Sequence, residues 1–312
     1  MVVTDQMAKT SDADQSNSSK KKKSGRQKVE AVVHGIFFVL GMLTIASVIL
    51  ITVYLIVSGL PAIREIGLVD FLFGTVWQST ASEPKFGILP FIMTSVYGTI
   101  GAILIGAPIG FLASVYLSKI APKSVRRIME QAVSMLAGIP SVVYGLVGMM
   151  VLVPWIGRAF DVPDGTGLLA AILVLSIMVL PSIIKVSIDA LDSVPKEFEE
   201  ASLALGATPI ETYFKVSVPA AKSGITAAIV LGVGRAIGEA MAVIMVSGNA
   251  ANMPGLFQSV RFLTTAVASE MSYASGLQRE ALFSIALVLF IFIMIINGAL
   301  NYFLKKGGLD HE

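Results

Sequence analysis

Two opposite charges, Arg235 and Glu239, stand four residues apart within the apolar segment Leu231-Gly-Val-Gly-Arg-Ala-Ile-Gly-Glu-Ala-Met-Ala-Val243. On a helix this spacing places both side chains on one face, where they can pair. Each costs about 2.5 to 3.5 kcal/mol at the centre of a membrane helix, so such residues usually face a bundle interior or a water-filled path. The planar donor fork of arginine suits a phosphate-like oxyanion. The pattern predicts a substrate path in which Arg235 meets an anion and Glu239 positions or releases it, with a structural ion pair between spans as the alternative.

Several other kinds of chemistry are absent from the sequence. The chain has no cysteine, which excludes disulfides, thiolate metal sites and cysteine nucleophiles. Its two histidines, His34 and His311, lie near opposite ends of the chain, so neither a metal site nor a catalytic triad is expected. No Gly-x-x-x-x-Gly-Lys-Ser/Thr phosphate-binding loop occurs. We therefore predict no catalytic residue, no metal and no cofactor bound by this chain, and if ATP drives it, another chain must bind the nucleotide.

The composition is that of a membrane protein. Of 312 residues, 55% are hydrophobic and 14% are charged, whereas soluble domains have roughly 45 to 50% and 25%. A helix crosses a bilayer with about 20 apolar residues. Six suitable stretches are present, at Val32 to Val57, Leu89 to Leu117, Gln131 to Val153, Leu168 to Val186, Ile225 to Val246 and Ala281 to Phe303. The sequence predicts an all-α membrane protein with about six transmembrane helices.

The distribution of lysine and arginine predicts the orientation in the membrane. Seven precede the first span, four lie in the loop 118–130, four in the loop 185–222 and two at the C-terminus, whereas the three opposite loops hold five together. Because cytoplasmic loops retain positive charge, both termini are expected in the cytoplasm. The first 28 residues are polar and include the run Lys20 to Lys23. Because such a segment cannot bury enough apolar surface to fold alone, we predict a disordered tail.

A signal peptide is the alternative reading of the N-terminus, since basic residues precede an apolar run. The run has about 26 residues, however, against the usual 7 to 15 of a signal peptide, and no clear Ala-x-Ala cleavage site follows. The sequence therefore favours a membrane anchor over a cleaved leader.

A polar, helix-favouring stretch separates the fourth and fifth spans, from Val194 to Pro219. Its local signals predict a helix, a turn and a second helix, because they comprise a first-turn proline, a glycine suited to ending a helix, a capping box and a terminating proline. These residues are, in order, Pro195, Gly206, Thr208 with Pro209 and Glu211, and Pro219. An ordinary amphipathic surface helix is the alternative interpretation.

The same stretch resembles the EAA loop of ABC-transporter permeases, whose pattern is Glu-Ala-Ala, three residues, Gly, nine residues and Ile-x-Leu-Pro. The matching positions here are Glu200, Ala201, Ser202, Gly206, Val216, Val218 and Pro219. The Ser and the two Val are conservative departures. The resemblance implies a fold like that of type I ABC importer permeases, with the loop in the cytoplasm. There Glu200, Ala201, Gly206 and Pro219 would couple the chain to a separate ATP-hydrolysing subunit.

Small and helix-breaking residues crowd several spans. They include Pro90, Gly98, Gly101, Gly106, Pro108 and Gly110 in the second span, Gly138, Pro140, Gly145 and Gly148 in the third, and Gly234 and Gly238 in the fifth. Membrane helices tolerate such residues where neighbours satisfy the freed backbone groups, and small residues allow close helix contact. Gating and simple helix packing both remain open, with Gly138, Pro140, Gly234 and Gly238 as the candidates.

Further segments resemble the phosphate-specific branch of these permeases, the PstC type. They are Phe71 to Trp77, Lys85 to Pro90, Ala137 to Gly145, the coupling loop, Gly234 to Val243 and Ser247 to Asn249. The family form has Thr where Ala240 stands. The related PstA type shares the Gly-Ile-Pro-Ser and Arg-Ala-Ile-Gly-Glu segments. The choice of the PstC type therefore rests on the Gly-Arg start, the Met-Ala-Val continuation, Gly248-Asn249 and the long first external loop.

The resemblance implies a complex and a domain organisation. The partners would be a second, PstA-like permease subunit, PstB-like ATPase subunits that use ATP and Mg²⁺, an extracytoplasmic PstS-like phosphate-binding protein, membrane lipid and inorganic phosphate, with no nucleic acid. The expected parts are a basic cytoplasmic tail 1–28, a first transmembrane helix 29–60, an extracytoplasmic loop 61–87, a permease core 88–306 that includes the coupling loop 187–219, and a cytoplasmic tail 307–312.

Three other functions compete with phosphate import. A sulfate or molybdate permease would share the coupling loop and the oxyanion chemistry. An ion-driven carrier or channel would work without an ATPase partner. A membrane-embedded enzyme would need convergent catalytic groups, and within the spans the sequence offers only Arg235 and Glu239.

Overall fold

The computed structural model describes the backbone of residues 3–308 and the side chains of residue 30 and residues 32–299. These residues form α-helices, short π-helical segments and one antiparallel hairpin. The α-helices are α1 (Val3–Ile66), α2 (Leu68–Phe73), α3 (Leu89–Val115), α4 (Lys123–Gly138), α5 (Ser141–Val147), α6 (Val153–Phe160), α7 (Leu168–Asp192), α8 (Lys196–Ala204), α9 (Pro209–Thr212), α10 (Val218–Ala220), α11 (Lys222–Ile237), α12 (Met241–Val246), α13 (Leu263–Glu270) and α14 (Gly276–Gly308). The strands are β1 (Trp77–Gln78) and β2 (Lys85–Phe86), and the π-helical segments are Tyr116–Ile120, Gly148–Leu152 and Tyr213–Ser217.

The chain divides into two compact units, residues 1–54 and residues 55–312. The described part of the first unit is apolar helix with mostly exposed side chains. The hydroxyls of Thr44, Ser47 and Thr52 each donate to the carbonyl four residues earlier, which satisfies them without water. Helix α1 begins at Val3, whereas the sequence predicts a disordered tail over 1–28. The side chains of that segment lie outside the described residues, as does most of the tail 307–312, and both tails stay predictions.

Five helical stretches are long and apolar enough to cross a membrane, and a bent pair makes a sixth candidate within the described residues. The five are Val32–Ile66, Leu89–Ile120, Ser141–Phe160, Leu168–Asp192 and Gly276–Ala299. The bent pair is Pro209–Ala220 with Lys222–Ile237, joined at an angle of 72°. The predicted all-α architecture with about six spans is therefore confirmed.

The third predicted span, Gln131 to Val153, has the wrong boundaries. The structure ends α4 at Gly138 and starts the apolar stretch at Ser141. Ile139 is extended, with φ −70° and ψ 128°, because a residue before proline disfavours the helical region. Pro140 then caps the next helix. The helix is interrupted at Ile139 and Pro140. This interruption separates the polar helix α4 from the membrane span that follows it.

Helix α7 forms the centre of the second unit and packs against α3 and α11. Three glycines of α3 make the close approach possible, because an added Cβ would lie 2.6 to 2.8 Å from side-chain atoms of α7. The pairs are Gly101 with Ile172, Gly106 with Val179, and Gly110 with Ile183. In α3 these small residues therefore have a packing role.

Two groups of buried side chains mark opposite ends of α3. At its start Phe91 packs with Trp77 and Phe86 of the hairpin and with Leu282 of α14. At its end Val115 packs in a separate cluster with the residues that flank the coupling loop, among them Leu191, Val194, Ala221 and Ile225. With 27 residues, α3 is about 40 Å long, which exceeds the hydrocarbon thickness of a bilayer. The hairpin and the coupling loop therefore lie at opposite ends of the spans.

Candidate functional site

The segment that carries Arg235 and Glu239 is a broken helix. Helix α11 ends at Ile237 and α12 begins at Met241, with Gly238, Glu239 and Ala240 between them. The break is stabilised by a hydrogen bond of 3.2 Å from the amide of Gly238 to the carbonyl of Gly234. A continuous span from Ile225 to Val246 was expected, so the interruption is a correction. Non-helical backbone at membrane depth occurs where it is buried in protein or lines a water-filled cavity.

Arg235 lies in the last turn of α11 and is half-buried. Its Nε atom is buried and has no hydrogen-bond partner. A cation at this position interacts favourably with the carbonyl end of the helix dipole. Arg235 thus presents a buried donor that no atom of the described chain satisfies.

Glu239 is held by two bonds on the other side of the break. Its Oε1 accepts a hydrogen bond of 3.0 Å from the backbone N–H of Ala242 in the first turn of α12. Its carbonyl oxygen accepts a bond of 2.7 Å from the hydroxyl of Thr264 on α13. A carboxylate at a helix N-terminus satisfies a free amide and complements the helix dipole. The side chain therefore positions the start of α12.

The ion pair between Arg235 and Glu239, which the sequence offered as the alternative to a substrate path, is not formed. Among the described side chains, neither residue takes part in a salt bridge within 4.0 Å. Residues four apart are neighbours only on one unbroken helix. Because the helix ends between them, each charge is matched to a different helix end instead. The guanidinium remains available for an external anion.

Helix α5 crosses the broken helix at close range. A Cβ at Gly145 would lie 2.8 Å from Cα and 2.9 Å from the carbonyl oxygen of Ala242. The neighbouring Tyr144 donates a hydrogen bond of 2.8 Å from its hydroxyl to the carbonyl of Leu136 at the end of α4. Glycine is therefore required at this crossing, where α5 packs directly against α12.

The four residues named for gating or packing occupy turns and open positions. Gly138 ends α4, and Pro140 caps α5. A Cβ at Gly138 or Gly234 meets no atom of this chain within 4 Å, and one at Gly238 meets the carbonyl of Gly234 at 3.4 Å. Within this chain, Gly138 and Gly234 are therefore not required for close packing. A role in gating, or in contact with a neighbouring subunit, stays a prediction.

The segment after α12 makes a tight turn. Gly248 and Asn249 are left-handed, with φ of 75° and 54°. A Cβ at Gly248 would lie 1.9 Å from the hydroxyl oxygen of Ser259, so only glycine fits. Arg261 donates from Nε to the carbonyl of Asn249 over 2.9 Å. These contacts attach the turn to the segment that leads into α13.

Glu270 joins the elements at the hairpin end. It forms an ion pair with Arg261, and the side chains of both are mostly buried. Its oxygens also accept hydrogen bonds from Trp77 Nε1 at 3.3 Å and from Gln278 Nε2 at 3.1 Å. Because α13 carries both Glu270 and Thr264, this network connects the hairpin surface to the backbone of the break. No sequence motif pointed to Thr264, since its partner is a carbonyl 25 positions away.

The coupling loop has the predicted geometry. Helix α8 starts directly after Pro195 and ends in a left-handed Gly206, with φ 91°. The amide of Gly206 donates to the carbonyl of Leu203 at 3.0 Å and that of Ala207 to Ser202 at 3.3 Å, which is the Schellman pattern. The capping box of Thr208 and Glu211 is also present. The helix, turn and helix are therefore confirmed.

The residues expected to contact the ATPase are on the surface of the loop. Glu200, Ala201, Gly206 and Pro219 are all exposed. They are accompanied by exposed apolar side chains, namely Phe198, Leu203, Leu205, Ile210 and Phe214, of which Leu205 is 89% exposed. Exposed apolar side chains grouped within one short segment indicate an interaction site.

An ion pair joins α4 to the end of α7, just before the coupling loop. Arg126 of α4 forms ion pairs with Asp192 at the end of α7 and with Glu130. Hydrogen bonds to the Asp192 and Glu130 carboxylates raise the pKa of Arg126 above its ordinary value. This link fixes α4 to the start of the coupling segment.

Comparison with known proteins identifies the family. Residues 106–306 match the model of the "Binding-protein-dependent transport system inner membrane component". The chain belongs to this family. It is thus a multi-pass membrane component of a transport system, and its family is not itself catalytic.

Curated relatives of this family member cover most of its length. It is 40% identical to the "Probable ABC transporter permease protein YqgH" of Bacillus subtilis (strain 168), over 82% of this chain and 86% of the relative. It is 36% identical to the "Phosphate transport system permease protein PstC" of Pasteurella multocida (strain Pm70), over 73% and 77%. The protein of the same name from Haemophilus influenzae is 34% identical, over 77% and 82%.

Solved structures agree on the fold. A bacterial alginate ABC transporter chain superposes with a TM-score of 0.56 at 16% identity, covering 86% of this chain and 93% of that one. A chain of the MetNI methionine ABC transporter gives 0.52 at 22% identity, with 71% and 94% covered. The fold is therefore that of ABC importer permeases.

Proposed function

We propose that this chain is the transmembrane permease subunit of an ATP-driven importer of inorganic phosphate and forms half of its translocation path. The observation that carries the proposal is the similarity to phosphate transport system permeases at 34 to 36% identity over more than 70% of the chain. Sulfate and molybdate permeases have no comparable support.

The geometry of Arg235 supports an anionic substrate. Its buried Nε lacks a partner, and a buried unsatisfied donor costs about 1 to 3 kcal/mol, more when charged. Phosphate oxygens can accept from a guanidinium at two points, which gives stronger and more directional bonds than a neutral acceptor. Arg235 meets the passing anion, and Glu239, fixed at the start of α12, limits how long the anion stays by its like charge.

The complex contains three kinds of partner subunit. PstB-like ATPases, which bind ATP and Mg²⁺, dock on the exposed apolar surface around Leu205 and Ile210. A PstA-like permease supplies the other half of the path. It packs against part of the exposed apolar surface of the spans, and lipid covers the rest. A PstS-like phosphate-binding protein meets the hairpin end, with the hairpin itself and the segment 248–280 as its contacts.

The orientation follows from the charges of the loops. The loops 118–130 and 185–222 hold eight of the 23 basic residues, and loops with such an excess stay in the cytoplasm. Both termini are then cytoplasmic, the coupling loop faces the ATPase and the hairpin faces outward, in the plasma membrane of a prokaryotic cell.

Transport proceeds by alternation of two gates. ATP binding closes the ATPase pair, and α8 carries this movement to the spans, so that the inner gate shuts and the outer gate opens. The loaded binding protein delivers phosphate to the path. After hydrolysis the inner gate opens again, and phosphate passes Arg235 into the cytoplasm.

Cells that lack the chain test the choice of substrate. Deletion of its gene is expected to lower uptake of labelled phosphate at low external concentration and to leave uptake of labelled sulfate unchanged. Complementation with the wild-type gene serves as the control. A deletion that lowers sulfate or molybdate uptake and spares phosphate uptake would contradict the proposal.

A further inference from the structure

The carboxylate of Glu199 on the coupling helix is paired inside the protein. Its Oε1 lies 2.7 Å from Nζ of Lys119, and the two side chains are only 19% and 10% exposed, respectively. The same oxygen accepts a hydrogen bond of 2.8 Å from the hydroxyl of Ser217, which is fully buried. A charge pair removed from water is held strongly in place, because loss of either partner leaves a buried charge without compensation.

This junction of Glu199, Lys119 and Ser217 connects three elements. Glu199 belongs to α8, the helix that carries the exposed coupling residues. Lys119 lies in the π-helical segment Tyr116–Ile120, which directly continues α3. Ser217 lies in the π-helical segment Tyr213–Ser217, which leads through α10 into α11 and so to Arg235.

Both membrane helices meet the junction through a π-helical turn. Such turns are rare, occur mostly as single turns within α-helices, and are frequent at functional sites. In each segment the amide that follows the last residue donates a hydrogen bond to the carbonyl five residues earlier. The amide of Ala121 donates to the carbonyl of Tyr116 over 2.8 Å, and the amide of Val218 donates to the carbonyl of Tyr213. A π-helical turn thus follows α3 and another precedes α10 and α11. Oε1 of Glu199 joins the two turns, because it contacts Lys119 in the first and Ser217 in the second.

The other acidic residues of α8 point elsewhere. Glu197 and Glu200 are exposed, and among the described side chains neither has a salt bridge or side-chain hydrogen bond. Helix α8 thus has an outer face for a docked subunit and an inner face attached by Glu199. Apolar contacts on that inner face could slide, whereas a hydrogen-bonded ion pair fixes distance and direction.

We propose that Glu199 is a positioning residue that transmits movement of the coupling helix to α3 and α11 through its bonds with Lys119 and Ser217. The inference rests on the proposed function, since it assumes an ATPase on the outer face of α8. It assigns a role to Glu199, outside the coupling residues Glu200, Ala201, Gly206 and Pro219. The ion pair makes α8, α3 and α11 move as one body when the ATPase closes.

The test measures anion transported per ATP hydrolysed in proteoliposomes that contain the full transporter. Glu199→Gln keeps the shape and an acceptor for Ser217 but removes the charge, and it is expected to lower this ratio about tenfold while the complex still assembles. The double variant Glu199→Lys with Lys119→Glu, which exchanges the charges, is expected to recover most of the ratio. Asp161→Asn, which removes an exposed carboxylate at the end of α6, away from the coupling loop, is the control and is expected to match the wild type.

An unchanged ratio in Glu199→Gln would overturn the proposal, as would a lowered ratio of the same size in Asp161→Asn. If Glu199→Gln does not assemble, Ser217→Ala removes one bond and keeps the ion pair. A reduced ratio in Ser217→Ala then supports the junction, and a wild-type ratio overturns it. The wild-type complex tests the substrate separately from the junction. Absence of phosphate uptake by the wild type contradicts the proposed function. In that case the ratio of anion transported to ATP hydrolysed is measured with sulfate for the wild type and the variants, which still tests Glu199.

Discussion

Arg235 and Glu239 show how two charges can stand within membrane-spanning segments without neutralising each other. The arginine ends one helix and the glutamate precedes the next, so each meets the helix end of opposite partial charge. Arginine keeps an unsatisfied buried nitrogen, whereas glutamate has a fixed backbone partner. In the proposed function the two residues therefore have different tasks: Arg235 meets the substrate, and Glu239 shapes the path.

Replacement of Arg235 tests its contact with the anion. Arg235→Gln is expected to abolish phosphate uptake, because it removes the charge and the donor fork, while the amount of assembled complex stays normal. Arg235→Lys keeps the charge without the fork and is expected to retain partial uptake. The control is Arg158→Gln, an exposed position at the end of α6. Normal phosphate uptake by Arg235→Gln would contradict the assignment.

Thr264 supports the break from a neighbouring helix. Thr264→Val has a similar shape but leaves the carbonyl of Glu239 without its 2.7 Å partner. The expected loss of stability is about 1 to 3 kcal/mol, the usual penalty for a buried unsatisfied group. Thermal unfolding of the purified complex measures the loss. Thr264→Ser keeps the hydroxyl as a control, and equal stability of the Val and Ser variants would argue against the bond.

The sequence could predict the two charged residues but not their environment. Their types and spacing indicated an anion path, since charges in an apolar stretch are rare and costly. The alternative reading, an ion pair between them, does not hold, because a four-residue spacing implies contact only on a continuous helix. Thr264, Glu199 and Lys119 were missed because their contacts join distant parts of the chain, and no local pattern encodes such contacts.

At the scale of elements, the coupling loop was the most predictable part. Pro195, Gly206, Thr208 and Glu211 act through bonds within a few residues, so the sequence alone determines them. The third span was less predictable. Its hydrophobic residues extend across Pro140, and only the conformation of Ile139 shows where the helix stops.

Gly206 offers a test of the loop geometry. Its φ of 91° disfavours side chains, and a Cβ would meet no atom within 4 Å. Gly206→Val therefore acts through the backbone alone, at a cost of about 1 to 2 kcal/mol. We expect it to reduce phosphate uptake relative to ATP hydrolysis in proteoliposomes. Gly206→Asn, which tolerates this conformation better, should lie closer to the wild type, and full coupling in the Val variant would contradict a docking role for the turn.

At the scale of the whole molecule, the spans connect two surfaces with different tasks. At one end Glu270 joins the hairpin, α13 and α14, and α13 reaches the break through Thr264. At the other end Glu199 joins the coupling helix to α3 and to the segment before α11. The broken helix is thus attached to both ends of the protein. This arrangement suits a permease that responds to a binding protein outside and an ATPase inside.

The most direct test of the central claim is uptake by the purified transporter. This chain, co-purified with its partner permease and ATPase, is placed in proteoliposomes with the binding protein outside and ATP inside. The account predicts uptake of labelled phosphate that requires both ATP and the binding protein and that excess sulfate does not reduce. Uptake of sulfate in preference to phosphate, or phosphate uptake that continues without ATP, would contradict it.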